Sequence, residues 1–273
     1  MSWRHSPWLA LLLGVSGGCA LTSPVPPAPD FVLLGEIHDN ADHHRLRAQR
    51  LAALLADGKP TTVVFEQMPA SRNEALQAQQ QRAPKNVDAL IDAGQLDRRN
   101  WRWPLHKPLF DAGVDGGARI LGGNLERDDL RRLMREGDSA WAPQTLALTQ
   151  RTPWSDAQQQ AQIKAIDDGH CGALPQAMHG PMARAQRARD ATMARVLLAA
   201  RESGAERVVL IAGNGHVDRE LGVPRYLEAA GIAPSRIRAV GYVEAGTSGG
   251  ERFDERVETA AATREDPCAA FKR

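Results

Sequence analysis

The sequence has no excess of charge of either sign. Its 34 lysines and arginines are balanced by 33 acidic residues, so the net charge of the 273-residue chain is +1. A nucleic-acid-binding protein needs a basic surface that releases phosphate counterions, and this composition offers none. We therefore expect no nucleic-acid partner. With 42% hydrophobic residues, the chain can bury the core of a globular protein.

Several signatures of catalysis are also missing. The sequence contains no His-Glu-x-x-His motif, no Gly-x-Ser-x-Gly motif and no phosphate-binding loop. Each of these motifs places the reacting groups of one enzyme class at a fixed spacing on a helix or a tight turn. Their absence disfavours a zinc protease, a serine hydrolase and a nucleotide-binding enzyme.

The apolar run near the N-terminus, residues 8–15, is too short to span a bilayer, which takes about 20 apolar residues. It follows a charged start and precedes small residues and Cys19, an arrangement typical of a secretory signal peptide. A cysteine at this point resembles a bacterial lipobox, although Ser16 stands where that pattern prefers leucine. We predict a signal peptide over residues 1–18, lipidation of Cys19 and a proline-rich tether over residues 19–29. The alternative is a signal peptide that merely contains a cysteine.

Cysteine is scarce in the rest of the chain. Besides Cys19, only Cys171 and Cys268 are present. In the oxidising compartment that a signal peptide implies, two remaining cysteines favour a disulfide. Two unpaired buried thiols are the alternative.

Short apolar runs that suit strands alternate with amphipathic stretches along the mature chain. This alternation predicts an α/β fold, with a mainly parallel sheet flanked by helices. We predict one domain over residues 30–245. Its helical insertions, at about residues 70–115 and 126–203, would form a cap or subdomain. A tail over residues 246–273 is expected to be mostly coil, with Cys268 as its only anchor. The predicted strands are residues 31–35, 61–66, 119–122, 207–212 and 237–243, and the predicted helices include residues 41–56, 87–93, 126–136, 156–168, 181–201 and 224–230.

Polar side chains follow four of the predicted strands, at the edge where open parallel sheets bind ligands. Two of these strands end in a Gly-x-x-His turn, Gly35 to His38 and Gly213 to His216. Glycine permits a sharp turn off the strand, which returns the imidazole toward a pocket. The turns therefore predict a functional pocket at this edge, although each polar residue taken alone could cap a helix. The candidate residues at the four strand ends are Glu36, His38, Glu66, Asn124 and His216.

Two kinds of chemistry are open to these residues. His38, Glu66 and His216 could bind a divalent metal, since imidazole and carboxylate are its usual ligands. Alternatively, His38 could act as a general base oriented by Glu36 or Glu66. Spacing alone does not choose between them.

The predicted helical regions supply further candidates. Arg189 and Asp190 lie on a long predicted helix, where Arg189 could hold a carboxylate such as a haem propionate. A solvated helix face is the alternative. Trp101, Trp103 and Phe110 form an aromatic patch large enough to stack on a flat macrocycle, with helix packing as the default. Three histidines in the predicted cap are candidate iron ligands, although each more often lies at a surface or a boundary: His106, His170 and His179.

Several segments, in this order, resemble the ChaN-type haem-binding lipoproteins. These proteins belong to a superfamily that also includes the Tiki proteases, the TraB proteins and the erythromycin esterases. The resemblance extends from about residue 30 to residue 243. It is carried by LLGEIHDNADHH, VVFEQM, HCGALP, AQRARDATMA and IAGNGHV followed by GVPRYL.

The resemblance implies a function as well as a fold. It implies an outer-membrane lipoprotein, facing the periplasm or the cell surface, that binds haem and acts with uptake machinery in haem or iron uptake. In some members haem binds across a homodimer. A tyrosine is associated with iron in this branch, and the chain has only Tyr226 and Tyr242. In the Tiki and esterase branches the same pocket is catalytic, so a hydrolase is the alternative to a binding protein. The matching pocket residues are Glu36, His38, Glu66, Asn124, Arg189, Asp190 and His216.

Overall fold

A computed structural model of the chain describes residues 1, 28–247, 250–266 and 268–269. The predicted lipidation site, Cys19, lies outside these residues, as do all but the first residue of the predicted signal peptide and most of the tether. Among the described residues, no helix combines the length and the apolar composition needed to cross a bilayer.

Six strands form one sheet in the order β3-β2-β4-β1-β5-β6, and every neighbouring pair is parallel. The sheet is therefore the parallel sheet that the sequence predicts. β1 and β4 lie at its centre, where every residue of both strands is buried. Strands covered on both faces in this way read as continuous apolar runs. The strands are β1 (Phe31–Leu34), β2 (Thr61–Pro69), β3 (Arg119–Asn124), β4 (Arg207–Ile211), β5 (Ile237–Glu244) and β6 (Glu255–Thr259).

Helices cover both faces of this sheet. One core contains Leu197 and Tyr226, and the core on the other face contains Leu51 and Phe110. The helices of the described residues are α1 (Ala41–Leu55), α2 (Asn73–Arg82), α3 (Val87–Ala93), α4 (Lys107–Asp115), α5 (Arg127–Glu136), α6 (Pro143–Arg151), α7 (Asp156–Gly169), α8 (Gln176–Glu202), α9 (Asn214–Val217) and α10 (Val223–Ala229).

Helix α1 begins directly after the first Gly-x-x-His turn because Asn40 caps it. The Asn40 side-chain oxygen accepts hydrogen bonds from the backbone N–H groups of Asp42 and His43 at 3.0 and 3.3 Å. These N–H groups have no partner within the helix, so the cap fixes where the helix starts. This start places His44 and Arg47 on the buried side of the first turns.

The structure differs from the sequence prediction in the helical insertions and in the tail. Helices α4 and α6 were not predicted, and α8 starts five residues earlier than expected and contains Pro181. The buried side of α8 packs on the sheet instead of forming part of a separate cap.

The described part of the tail contains a strand that the sequence did not predict, because β6 pairs with β5. Cys268 is also not its only anchor: the Asn40 amide donates to the carbonyl of Ala260 at 3.1 Å. Cys171 and Cys268 form a disulfide that closes a 97-residue separation.

Candidate functional site

The two Gly-x-x-His turns lie side by side, because they follow the neighbouring central strands β1 and β4. The backbone N–H of Asn214 donates to the carbonyl of Glu36 at 2.9 Å and joins the turns. Gly35 is required by this approach, since a Cβ there would lie 2.3 Å from the side-chain oxygen of Asn214. The sequence prediction that the turns meet at one edge of the sheet therefore agrees with the geometry.

Glu36 is the centre of a buried cluster below the first turn. Its carboxylate oxygens lie 2.8 Å from His38 Nδ1, 3.0 Å from His44 Nδ1 and 3.1 Å from His106 Nε2. The guanidinium of Arg47 pairs with the same carboxylate and also donates to the carbonyl of Leu34 at 3.1 Å. Arg47 therefore compensates the buried charge of Glu36, a condition that buried carboxylates need.

His44 is neutral within this cluster. Burial, helped by the neighbouring His106, lowers the pKa of His44 to about 3. Its hydrogen bonds agree with one proton on the ring, because Nε2 donates to the carbonyl of His38 at 3.0 Å and Nδ1 accepts from Arg47 at 3.1 Å. His44 thus holds the backbone of His38 in place, while Glu36 orients the imidazole ring of His38.

A second buried cluster joins β2, α8 and the second turn. His216 Nδ1 lies 2.6 Å from Asp190 Oδ1, and His216 Nε2 lies 3.2 Å from Glu66 Oε1. The other oxygen of Glu66 accepts from the backbone N–H of Gly213 at 2.8 Å. Both imidazole nitrogens therefore face carboxylates.

This arrangement makes His216 a cation. Burial on its own would lower the pKa of His216, but the charges of Glu66 and Asp190 outweigh it and raise the pKa to about 10. Burial raises the pKa of Asp190 to about 6, against the attraction of His216. At neutral pH the site thus holds an imidazolium between two carboxylates.

His38 lies between the two clusters and is the imidazole that reaches solvent. Its side chain is 50% exposed and meets the Trp101 ring edge-on, with 5.0 Å between ring centroids. Desolvation outweighs the attraction of Glu66 and lowers the pKa of His38. Because Nδ1 donates to Glu36, the lone pair of a neutral His38 resides on Nε2. Gly213 leaves room for this edge of the ring, since a Cβ there would lie 3.1 Å from Nε2.

A groove of about 940 Å³ opens beside His38. Glu66, Asn124 and Arg189 also line it. Arg189 forms no ion pair with a carboxylate of the described residues, whereas the other arginines of the groove all do. The Gln67 side chain is buried in the groove wall, and neither its amide oxygen nor its amide nitrogen has a hydrogen-bond partner among the described residues. Among its described arginines, the groove thus offers one guanidinium without an ion pair, that of Arg189.

The structure brings most of the candidate residues together. Glu36, His38, Glu66, Asp190 and His216 form the two adjoining clusters, and the Asn124 amide donates to the carbonyl of Glu66 at 3.0 Å while its residue lines the groove.

Other candidates lie elsewhere. Phe110 stacks on Phe65 in the core at 4.0 Å between centroids, and Trp103 meets Phe110 edge-on. Of the three aromatic residues, only Trp101 lines the groove. His170 and His179 lie outside the groove lining.

His106, Arg47 and Gln67 complete the site in ways that the sequence did not indicate. His106 was expected at a surface or a boundary, but it is buried against Glu36. Arg47 precedes Leu51 by one helical turn, and a charge within the buried stripe of a helix was the signal that could have identified it. Gln67 gives no such signal, because a polar residue within a strand is common.

Among the described residues, one group offers three ligand atoms within 4.8 Å of one another, and it consists of Glu36, His44 and His106. Arg47 adjoins two of these side chains, and its charge opposes a cation there. Metal binding by His38, Glu66 and His216 stays a prediction.

Comparisons with known proteins assign the chain to a family. The fold is similar to that of ChaN of Campylobacter jejuni, described with cofacial haem binding, at 18% identity and a TM-score of 0.69 over 83% of this chain and 86% of that one. A mutant of the erythromycin esterase EreC in its open conformation matches at 15% identity and a TM-score of 0.43, over 82% of this chain and 74% of that one. A search of curated proteins found no match. The family model for haem-binding uptake proteins of the Tiki superfamily, ChaN, matches residues 27–227, and the chain therefore belongs to this ChaN family.

Proposed function

We propose that the protein binds haem in the groove beside His38 and serves haem or iron uptake. The observation that carries this proposal is the pairing of an exposed, neutral imidazole with an unpaired guanidinium, Arg189, on the wall of one large groove. Its volume of about 940 Å³ is at the upper end of the range for small-molecule sites. A flat, dianionic macrocycle suits these features better than a small polar ligand does.

His38 is the residue we propose as the iron ligand. Haem iron is usually held by His, Cys, Met or Tyr. Tyr226 and Tyr242 are both buried and do not line the groove, which argues against either one. The hydrogen bond from His38 Nδ1 to Glu36 leaves Nε2 to donate its lone pair, and a carboxylate behind an imidazole makes it a stronger ligand.

The other groove residues fit the rest of a haem molecule. Trp101 offers an aromatic surface beside His38, and aromatic side chains pack on flat ring systems. Arg189 can form charge-assisted hydrogen bonds with a propionate, because it forms no ion pair with a described carboxylate.

Titration of the mature protein with haemin tests this proposal. We expect a shift of the Soret band that saturates at one haem per chain and that His38→Ala weakens at least about ten-fold, the effect of roughly 1.4 kcal/mol. The matched control is His179→Ala, which removes a histidine outside the groove and should leave the titration unchanged. Full binding by His38→Ala would contradict His38 as the ligand, and no saturable shift in the wild type would contradict haem binding altogether.

A hydrolase is the second candidate, and the hydrogen bond between His38 Nδ1 and Glu36 favours it. An exposed neutral imidazole that a carboxylate orients can act as a general base. In such a reaction a water oxygen bonds to the acyl carbon and its proton passes to His38 Nε2. Cleavage of the bond to the leaving group then returns that proton to the leaving oxygen. The absence of a haemin shift, together with bound Mn, Co or Zn that His38→Ala or His216→Ala removes, would support the metal-dependent form of this alternative.

We further propose that the domain is held at the outer membrane by acylation of Cys19, facing the periplasm or the cell surface, where it meets haem-uptake machinery. The sequence around Cys19 and the family membership support this location. Expressed with its natural N-terminus, Cys19→Ser should move the protein from the membrane fraction to the soluble fraction, because the lipid is the anchor. The amount of protein in the membrane and soluble fractions measures this effect, and Cys268→Ser is the matched cysteine control. Retention of the Cys19 variant in membranes would refute the anchor.

A further inference from the structure

Two separate segments supply walls of the groove. One is the connection between α3 and α4, which contributes Asp97 and Trp101, and the other is the start of α5, which contributes Arg127 and Arg131. The connection contains neither helix nor strand, so no regular backbone hydrogen bonding fixes it to α5. The contacts between the two walls therefore decide how far the groove opens.

The connection is anchored on both sides of a short exposed stretch. Leu96 is buried in the core, and the backbone carbonyl of Trp101 lies 3.0 Å from Nδ1 of the buried His106. Between these two anchors, residues 97–100 are exposed or half-buried. We call these four residues the flap. The flap is the part of this wall that can move without disturbing the core.

An ion pair joins the flap to α5. The guanidinium of Arg127 donates a hydrogen bond to the carboxylate of Asp97. The same carboxylate accepts from the backbone N–H of Asn100 at 3.0 Å and from the Asn100 side-chain amide at 2.7 Å. The backbone hydrogen bond from Asn100, above all, holds the pKa of Asp97 below its ordinary value. The carboxylate is therefore charged at neutral pH and is oriented from within the flap.

The stability of α5 does not account for the position of Arg127. This arginine is the first residue of α5, where the helix dipole disfavours a cation. By contrast, Arg131 pairs with Asp128 of the same helix at 3.0 Å. The interaction that Arg127 is placed to make is therefore the one with the flap.

The ion pair is weak enough to open and close. The side chain of Arg127 is 64% exposed and that of Asp97 is 33% exposed. Exposed ion pairs contribute little to stability, because water replaces them at low cost. This contact therefore suits a gate rather than a fixed part of the fold.

We propose that the Asp97–Arg127 ion pair is a latch, which holds the flap against α5 and controls the passage of ligand into and out of the groove. The identity of the ligand, haem, rests on the proposed function, whereas the latch itself does not. The latch involves neither His38 nor Arg189, so we expect it to be equally stable with the groove empty or filled. Breaking it should then change the association and dissociation rates by the same factor and leave the affinity unchanged.

The rates of haem binding test the latch. We expect Arg127→Gln to raise the association rate of haemin, measured by stopped flow, about three- to five-fold. Transfer of haem to an excess of apomyoglobin should accelerate by the same factor, so that the Kd is unchanged. Asp97→Asn should reproduce both changes, and the double variant should add nothing to either single variant. Arg131→Gln is the matched control and should leave both rates unchanged, because it removes a groove arginine whose ion pair lies within α5.

Hydrogen exchange in the absence of haem provides a second measurement. Peptides that cover the flap should exchange about three- to five-fold faster in Arg127→Gln than in the wild type, because the flap separates from α5 more often. Exchange in Arg131→Gln should match the wild type. Unchanged exchange in Arg127→Gln would overturn the latch, whether or not the wild type binds haem.

Two kinetic outcomes would also overturn the proposal. The first is equal rates for Arg127→Gln and the wild type. The second is weaker haem binding by Arg127→Gln with normal binding by Asp97→Asn, which would make Arg127 a partner of a haem propionate instead. A wild type that binds no haem, together with faster flap exchange in Arg127→Gln, would contradict the proposed function and support the latch.

Discussion

Replacing Asp190 by asparagine tests whether His216 is a buried cation. The asparagine has nearly the same shape and retains an oxygen that can accept from His216 Nδ1, now 2.6 Å from Asp190 Oδ1. It removes one of the two negative charges that hold the proton on the ring. Glu66, at 3.2 Å from Nε2, remains. We therefore expect the pKa of His216 to fall without returning to its ordinary value.

The effect on stability follows from the pKa of His216. A rise from 6.5 to about 10 corresponds to roughly 5 kcal/mol of free energy of unfolding. Because the folded-state pKa is raised, this stabilisation is fully present below pH 6.5 and is lost as the pH rises through 10. Loss of one of two carboxylates should weaken this stabilisation at pH 7, but the variant no longer buries the Asp190 charge, which is costly because burial raises the pKa of Asp190 to about 6. We therefore expect a net loss of about 1–2 kcal/mol at pH 7, or a Tm decrease of about 2–8 °C. By pH 9 the wild type has itself lost much of the stabilisation from His216, so the difference should be smaller than at pH 7.

Urea unfolding followed by circular dichroism at pH 7 and pH 9 measures both quantities. Asp168→Asn is the matched control, because it removes an equivalent carboxylate from an exposed pair with Lys164, at 2.6 Å. Exposed pairs contribute about 0–1 kcal/mol, so this variant should behave like the wild type at both pH values. A difference between Asp190→Asn and the wild type that is the same at pH 7 and pH 9 would show that His216 does not titrate in this range, and the assignment of a buried cation would then be wrong.

Two further predictions concern the second turn and the disulfide. Gly213→Ala should weaken haem binding at least about ten-fold, because the added Cβ would lie 3.0 Å from His38 Cε1, whereas Gly215→Ala meets nothing within 4 Å and should leave binding unchanged. Equal haem titrations for the two variants would contradict the positioning role of Gly213. Cys268→Ser should lower the free energy of unfolding by about 2–5 kcal/mol, since the disulfide with Cys171 restrains a 97-residue segment of the unfolded chain. Reductant should lower the free energy of unfolding of the wild type by the same amount and should leave that of the variant unchanged. A wild type whose free energy of unfolding is insensitive to reductant would contradict the disulfide.

The sequence predicted five strands and the edge at which the site lies, because these depend on local patterns. The segments that form β1 and β4 consist almost entirely of apolar residues and are followed by glycine. This pattern is typical of a strand that is buried on both faces. Once the sheet is known to be parallel, its carboxyl edge brings His38 and His216 together. The position of Glu66 follows from the same argument.

The parts that the sequence did not predict depend on contacts between distant segments. His106 binds Glu36, which lies 70 positions earlier, and no local pattern records that pairing. β6 was not predicted from the sequence, because its residues are mostly half-buried and charged. As an edge strand, it shows little alternation between apolar and polar residues. Helix α4 follows a segment rich in tryptophan and proline, for whose aromatic residues the sequence left a ligand surface open beside the default of helix packing. Of these residues, Phe110 serves the core.

The order of the strands has a consequence for how the site forms in time. β4 lies between β1 and β2, and β1 pairs with residues about 177 positions further along the chain, as in Phe31 with Val208. A sheet that depends on such distant pairing forms late and slowly. Glu66 and His38 therefore remain without their common neighbour Gly213 until the last third of the chain has joined the sheet. Ligand binding in the groove should therefore be detected only after the whole sheet has formed. No folding intermediate in which β4 is still unpaired should bind the ligand.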